Sequence, residues 1–460
     1  MLEYSLDETI IAISTPPGFG GIGIVRLSGK NALPIAKKIF KIKKKDEAGI
    51  LPGQAIIGDV FDFEKNESLD EAYLLFFPAP RSYTKENVIE ISCHGSPAVL
   101  EEVVRLGIRA GARHAHPGEF TLRAYLNGRI DIIQAEAVND LIRAASLTQA
   151  KIAFGQLEGR LSRRIEDVRD QIVHLLSQIE AAIEFPDEHL RITPPKIALI
   201  FERLIEFLEA LVASYDAGKA LTEGVMLAIT GRKNVGKSTL FNALLEEQRA
   251  IVTPYPGTTR DYLKEKVKIK DTIFNLVDMA GLGRPSSVVE KEGMKKGKKI
   301  ARQAAGLLVL LDASRTETAE DYTLIKEYKG KNMLLVFNKI DLPPKMDMEK
   351  IKKRYGNLSS LRISALRGTN ISRLKDNIYD IFAPKVDDRQ EVIFHLRQKL
   401  QLEEILNHLK KGRELLENKF PEEVYAEEIR KVLPAVGQLT GEIHAEEVID
   451  DIFSRFCVGK

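Results

Sequence analysis

Eight residues have the types and spacing to hold the phosphates of a nucleotide: Gly231-Arg232-Lys233-Asn234-Val235-Gly236-Lys237-Ser238. The pattern is G-x-x-x-x-G-K-S. Its glycines let backbone N–H groups close on phosphate oxygens. Lys237 is placed to reach the β- and γ-phosphates, and the Ser238 hydroxyl to bind Mg²⁺. Asn234, Val235, Gly236 and Thr239 complete the cradle. This chemistry needs a strand before the loop and a helix after it. Val225–Ile229 is a short apolar run that reads as a buried strand, and Thr239–Leu245 reads as a helix. The N-terminus of that helix adds a favourable potential for an anion.

Four more stretches follow in order. Gly257-Thr258-Thr259-Arg260 supplies Thr259, a hydroxyl that can close on Mg²⁺ and the γ-phosphate. Asp278-Met279-Ala280-Gly281 follows the apolar strand Ile273–Val277; Asp278 can hold the metal through water, and the Gly281 N–H can reach the γ-phosphate. Asn338-Lys339-Ile340-Asp341 follows the strand Met333–Phe337. A buried Asp341 carboxylate can accept two hydrogen bonds from the N1 and N2 edge of guanine. Adenine lacks that donor pair, so GTP and GDP are expected and ATP is not. Ser364-Ala365-Leu366, after the strand Leu361–Ile363, completes the base pocket. Taken as an ordered set, each member on a strand end, these elements resemble the GTPase superfamily.

The rest of the chain sets limits. Its 460 residues are enough for two to four domains, and 44% are hydrophobic. A net charge of +2 gives no bulk field to recruit nucleic acid, so any RNA contact must be local. Two cysteines, Cys93 and Cys457, cannot form a disulfide framework and point to a reducing cytoplasm. The acidic start, Met1 to Glu8, has no signal-peptide pattern, and no apolar run is long enough for a membrane span.

Residues 1–121 read as a mixed α+β domain. Strands are expected at Ile10–Ile13, Ile22–Leu27, Ala55–Phe63, Ala72–Phe77 and Val88–Ser92, with helices at Ala32–Phe40 and Ser96–Ala110. Gly18 to Gly23 matches G-x-G-x-x-G, but it opens a strand instead of a helix, so a dinucleotide site is rejected. Leu122 to Ile183 has no proline, and its apolar positions Ile165, Val168, Ile172, Leu175, Ile179 and Ile183 step by three and four, which reads as one long amphipathic helix. Gly155 and Gly159 mark a kink or a join. Another helix is expected over Ile197–Gly218, and the helical pattern returns over Val392–Phe456. The organisation expected is therefore an α-helical domain in two parts, 122–220 and 385–460, into which an α/β GTPase module, 221–384, is inserted.

The whole chain resembles one family, the tRNA-modification GTPases called MnmE or TrmE. The resemblance rests on Pro16 to Gly29, His116 to Ala124, Gln134 to Ala137, Glu184 to Glu188 and Phe456-Cys457-Val458-Gly459-Lys460. It implies a homodimer whose N-terminal domain binds a one-carbon folate, 5-formyl- or methylene-tetrahydrofolate. It also implies a heterotetramer with an FAD-containing partner, MnmG or GidA. Together such proteins place an aminomethyl or carboxymethylaminomethyl group on C5 of the wobble uridine in certain tRNAs. Carried over by position, the folate contacts are Arg26, Glu90, Arg129 and Lys460, and Cys457 is a functional thiol. Arginine can pair the glutamyl carboxylate of folate, and Glu90 can accept from the 2-amino pteridine edge. The family often has lysine at the Arg129 position.

The resemblance also bears on hydrolysis. Leu282 stands where Ras-type enzymes have a water-orienting glutamine, and no arginine finger is evident. Glu290 matches the family's catalytic position, with Glu292 a nearby competitor. Asn234 matches a K⁺ ligand, with further oxygens from the loop Thr253-Pro254-Tyr255-Pro256-Gly257-Thr258, chiefly Thr253, Tyr255 and Thr258. Met279 and Lys233 depart from the family's usual threonine and proline. Two other classes compete with this reading. One is a GTP-dependent ribosomal-RNA assembly factor, which usually carries a KH-type domain whose G-x-x-G loop is not found here. The other is a folate-binding scaffold with a vestigial GTPase.

Overall fold

A computed structural model describes residues 7–43, 50–185, 192–246, 264–278, 304–356, 358–387, 390–443 and 446–460. By packing, the chain divides into two units: Met1–Ile142, Phe154–Leu208 and Leu400–Lys460 form one, and Arg143–Ala153 and Glu209–Lys399 form the other.

The first unit begins with seven strands: β1 (Ile10–Ile13), β2 (Gly20–Ser28), β3 (Phe40–Ile42), β4 (Ile56–Asp62), β5 (Glu67–Phe77), β6 (Val88–Gly95) and β7 (Arg113–His114). They form one sheet in the order β3-β4-β5-β6-β2-β1-β7. All neighbours are antiparallel except β1 and β7. Helices Ala32–Ile39 and Pro97–Arg109 cover one face, burying Ile35, Ile39, Leu100 and Val103 against Val25, Leu27, Ile89 and Ile91. Side chains alternate across a strand, so Arg26 and Glu90 fall on the other face, directly opposite each other in register. The glycine-rich stretch opens β2, as expected. A Cβ on Gly23 would lie 2.4 Å from Leu100 Cδ1, so glycine there lets the strand lie against the helix.

The proline-free stretch is four helices, not one: Glu119–Leu126, Ile132–Ile142, Leu147–Leu157 and Arg160–Glu184. Gly159, at φ +77°, stands at the join before the last. Gly155 lies inside a helix and breaks nothing. The predicted stripe from Ile165 to Ile179 is buried and packs on helices Glu422–Arg430 and Val432–Thr440. The final residues are fixed as well. Val458 bridges to Pro117, and Ser14 Oγ donates to the Gly459 carbonyl at 3.1 Å.

In the second unit, β8 (Val225–Gly231), β9 (Lys264–Ile269), β10 (Thr272–Asp278), β11 (Gly306–Asp312), β12 (Met333–Asn338) and β13 (Ser360–Arg362) form a sheet in the order β13-β12-β11-β8-β10-β9. All pairs are parallel except β9 with β10. Helices Lys237–Glu246 and Ile371–Phe382 cover one face, and Ala319–Glu327 and Met348–Tyr355 the other. Both faces are covered, so β11 and β12 are buried at every position. β11 was not among the strands expected, although Gly306 to Leu311 is an uninterrupted apolar run.

The helix expected over Ile197–Gly218 is two, Pro194–Ala213 and Tyr215–Glu223, divided at Ser214. Ser214 Oγ accepts from Ile393 N at 3.1 Å, and a Cβ on Gly218 would lie 2.1 Å from the Ile393 carbonyl. The chain entering the six-stranded fold therefore touches the chain leaving it. Among the described residues no helix is long and apolar enough to cross a membrane.

Candidate functional site

The phosphate loop turns out of β8 into helix Lys237–Glu246, as the motif requires. Gly236 has φ +96°, a region open to glycine. A Cβ there would lie 2.4 Å from Asn338 Nδ2. Asn338 is buried and joins two parts of the site. Its Nδ2 donates to the Val235 carbonyl at 2.8 Å, and its Oδ1 accepts from Ala365 N at 2.9 Å. This asparagine thus clips the phosphate loop to the turn after β13.

Two lysines converge on the same loop. Lys237 Nζ donates to the carbonyls of Gly231 at 2.8 Å and Arg232 at 2.7 Å. Lys339 Nζ donates to the Asn234 carbonyl at 2.6 Å and to Asp312 Oδ2 at 2.6 Å. Burial disfavours the Asp312 charge, but Lys339 and Ser314 outweigh it and hold the pKa below the ordinary value. Asp312 was not singled out from the sequence. Its signal was a carboxylate on the C-terminal end of an apolar strand, where open parallel sheets bind ligands.

Asp341 is exposed here, not buried as expected. Its Oδ1 accepts from Ser364 Oγ at 2.6 Å, and that bond lowers its pKa. The turn at Ser364 and Ala365 therefore orients the Asp341 carboxylate. Leu366 is 74% exposed beside it. Arg232 turns away from the loop's centre: Nη1 donates to Thr318 Oγ1 at 2.7 Å and Nε pairs with Glu320 at 2.7 Å. Asn234 is exposed, at φ +64°, and Ser238 and Thr239 are exposed at the start of the helix. Asp278 ends β10. Thr253, Pro254, Tyr255, Pro256, Gly257, Thr258, Thr259, Met279, Ala280, Gly281, Leu282, Glu290 and Glu292 lie outside the described residues.

A second cluster forms on the first unit's sheet, on the face opposite its helices. Arg26 Nε and Nη2 grip Glu90 at 2.9 and 2.8 Å. Its guanidinium stands 5.6 Å from the Tyr83 ring centre and 5.6 Å from that of Phe120, and Nη1 reaches the Gly459 carbonyl at 3.5 Å. Arg129 lies over the Tyr83 ring at 4.7 Å, and its Nη1 donates to the Tyr83 carbonyl at 3.2 Å. Lys460 is half-buried; burial, then the charge of Arg26, lowers its pKa. Arg26, Glu90, Arg129 and Lys460, four residues distant in sequence, are thus brought together. Tyr83 and Phe120 were missed as members. Cys457 is exposed on the adjoining tail, whereas Cys93 is buried and its thiol is pushed up to about 12 by burial and by Asp70.

A phosphate loop, two lysines and the Asp341–Ser364 pair on the carboxyl edge of a parallel sheet define a guanine-nucleotide hydrolase of the phosphate-loop class. Residues 132–457 match the family model of the MnmE helical domain, and residues 9–129 match that of the GTP-binding protein TrmE N-terminus. The chain is 40% identical over 459 residues to a tRNA modification GTPase MnmE of Aquifex aeolicus, covering 99% of this chain and 100% of the relative. It is 40% identical to that of Thermoanaerobacter sp. (strain X514), over 98% of this chain and 99% of the relative. The Thermotoga maritima protein is 38% identical, over 98% of this chain and 100% of the relative. This chain belongs to the MnmE family of tRNA modification GTPases, and its role lies in tRNA modification.

Proposed function

We propose that this protein hydrolyses GTP as one subunit of a complex that modifies C5 of the wobble uridine, using a one-carbon folate and an FAD-containing MnmG-type partner. The observation that carries the GTPase assignment is the clip: Asn338 and Lys339 bind the phosphate loop while Asp341, two residues on, stands at the rim. One stretch thereby sets the distance between phosphate and base recognition. Lys237, now bonded to loop carbonyls, is in position to exchange them for phosphate oxygens.

The donors present suit hard cations, which take oxygen ligands. Ser238 and Thr259 would hold Mg²⁺, with Asp278 behind a water. Asn234, Thr253, Tyr255 and Thr258 would hold K⁺, which would supply positive charge to offset that developing on the phosphates. Glu290 would orient the attacking water. The remaining residues of the two loops, from Pro254 to Gly257 and from Met279 to Gly281, would close around the phosphates, and Leu366 would border the base.

The second cluster suits a folate. Glu90 offers oxygens to the pteridine N–H edge, and Arg129 and Lys460 offer cations to its carboxylates. Arg26, already paired to Glu90, orients that acid more than it meets the ligand. The exposed Cys457 thiol adjoins this cluster and would take part in the modification step. The same unit exposes Phe19, Ile22 and Tyr73, apolar side chains that a second copy of this chain would cover. The contact between Gly218 and Ile393 supports a GTPase module, 221–384, inserted between the helical parts 122–220 and 385–460 and following an N-terminal domain, 1–121. A cytoplasmic setting fits this chemistry.

The experiment is mass analysis of wobble uridines from cells lacking the protein, with single-turnover GTP hydrolysis in matched KCl and NaCl. Unmodified wobble uridines and faster hydrolysis in K⁺ are expected. Intact modification would overturn the substrate, and equal rates in the two salts would overturn the ion.

A further inference from the structure

Tyr83 has no role in the folate reading above, yet both arginines of that site rest on it. Arg129 is an exposed side chain, and the contacts described for its guanidinium are with Tyr83: the ring at 4.7 Å and the carbonyl at 3.2 Å. An arginine side chain has many rotamers of similar energy, so an exposed one is otherwise poorly aimed. The same ring stands 5.6 Å from Arg26. Two like charges therefore share one aromatic ring, whose quadrupole attracts a cation. The ring itself is held, since its hydroxyl bonds Thr121 Oγ1 at 2.9 Å, and burial raises its pKa. Arg26, gripped by Glu90 and backed by Phe120, is locked from its other sides.

We propose that Tyr83 is a positioning residue that aims the Arg129 guanidinium at the glutamyl carboxylates of a bound folate and fixes its distance from the Arg26–Glu90 pair. This rests on the folate reading of the site. It predicts that the tyrosine ring, not its hydroxyl, sets the site's preference for a folate over a ligand that lacks the glutamyl tail.

The test is calorimetric titration of the full chain with 5-formyl-tetrahydrofolate and with the corresponding tetrahydropteroate. The variants are Tyr83→Phe, Tyr83→Leu, Arg129→Ala and the double variant Tyr83→Leu with Arg129→Ala. Tyr83→Phe keeps the ring and is expected to bind folate within about threefold of the parent. Tyr83→Leu is expected to bind about tenfold more weakly, between the scales of an exposed and a desolvated cation–π contact because Arg129 is exposed and Arg26 largely covered, and to lose most of its preference over the pteroate. The double variant is expected to bind no more weakly than Arg129→Ala alone, because Tyr83 acts through that arginine. Thermal unfolding and circular dichroism of the full chain serve as the folding control, since Tyr83 and Arg129 both lie in the first unit. Parent-like folate binding in Tyr83→Leu, or additive losses in the double variant, would overturn this proposal and leave the folate site standing. A parent that binds no folate would overturn both.

Discussion

Replacing Gly236 by alanine should cost the nucleotide site far more than one methyl group suggests. The position sits at φ +96°, where a Cβ is disfavoured by roughly 1–2 kcal/mol. The new Cβ would also lie 2.4 Å from Asn338 Nδ2, a distance that real Cβ atoms do not show. Asn338 cannot simply retreat, because it is buried and holds Val235 at 2.8 Å and Ala365 at 2.9 Å. Giving up one of those bonds leaves a buried polar group unmet, at about 1–3 kcal/mol. The sum is about 2–5 kcal/mol against the binding-competent loop. Taking the lower half of that range, GDP affinity should fall by about 30- to 300-fold, at 1.4 kcal/mol per tenfold. Isothermal calorimetry with GDP and Mg²⁺ on the parent and Gly236→Ala reads this directly. Asn338→Ala, which removes the clashing amide but also the clip, should weaken GDP in its own right; combined with Gly236→Ala it should lose less than the sum of the two. A GDP affinity within threefold of the parent in Gly236→Ala would refute the clip. Strictly additive losses would show that Gly236 and Asn338 do not meet.

Other outcomes follow from the same geometry. Asp341→Asn replaces one acceptor with a donor, so guanine nucleotides should weaken and xanthine nucleotides should gain, read by competition against labelled GDP. Glu290→Ala should slow single-turnover hydrolysis by about 10²-fold or more with GTP binding nearly unchanged; full activity would move the role to Glu292. Asn234→Lys should place a tethered charge at the proposed K⁺ position and abolish the difference between KCl and NaCl. Glu428 concerns stability. It is buried, which disfavours its charge, but His408 at 2.9 Å, Lys411 at 2.8 Å and Lys431 at 2.9 Å more than offset this and hold its pKa at about 2. A depressed carboxylate pKa stabilises above the unfolded value and loses its contribution as pH falls through the folded one. Glu428→Gln should therefore destabilise its unit at pH 7, by about 1–2 kcal/mol because solvent screens the exposed Lys411 and Lys431. Thermal unfolding should show a smaller gap at pH 3, and an equal gap at both would refute the ion cluster.

What the sequence determined by itself was whatever depends on local order. The phosphate loop needs only glycines at fixed spacing between an apolar run and a helix, so Gly231 to Ser238 announced both its chemistry and its setting. The ordered strand-end motifs carried the guanine specificity and the enzyme class in the same way. The stripe from Ile165 to Ile179 was legible because helical period shows in a single chain. Breaks in that period were less legible. Gly155 and Gly159 look alike in sequence, yet only Gly159 adopts a positive φ. One helix gives way to the next at Ser214, where the Ile393 amide, remote in sequence, donates to its hydroxyl.

Only the tertiary structure decided which residues meet. Arg26 and Glu90, 64 residues apart in the chain, meet because strand register sets them face to face. Tyr83 carries no motif of its own; it became part of the site when the loop before β6 laid it between two arginines. Gly459 and Lys460 reach Arg26 because Val458 pairs with Pro117, a bridge that no local pattern encodes. The Asp341 carboxylate, expected to be buried, is exposed and aimed by Ser364. The physical reason is the same in each case. Spacing along the chain fixes dihedral angles and periodicity, whereas the partners of a polar side chain are chosen by register and packing between segments far apart in sequence.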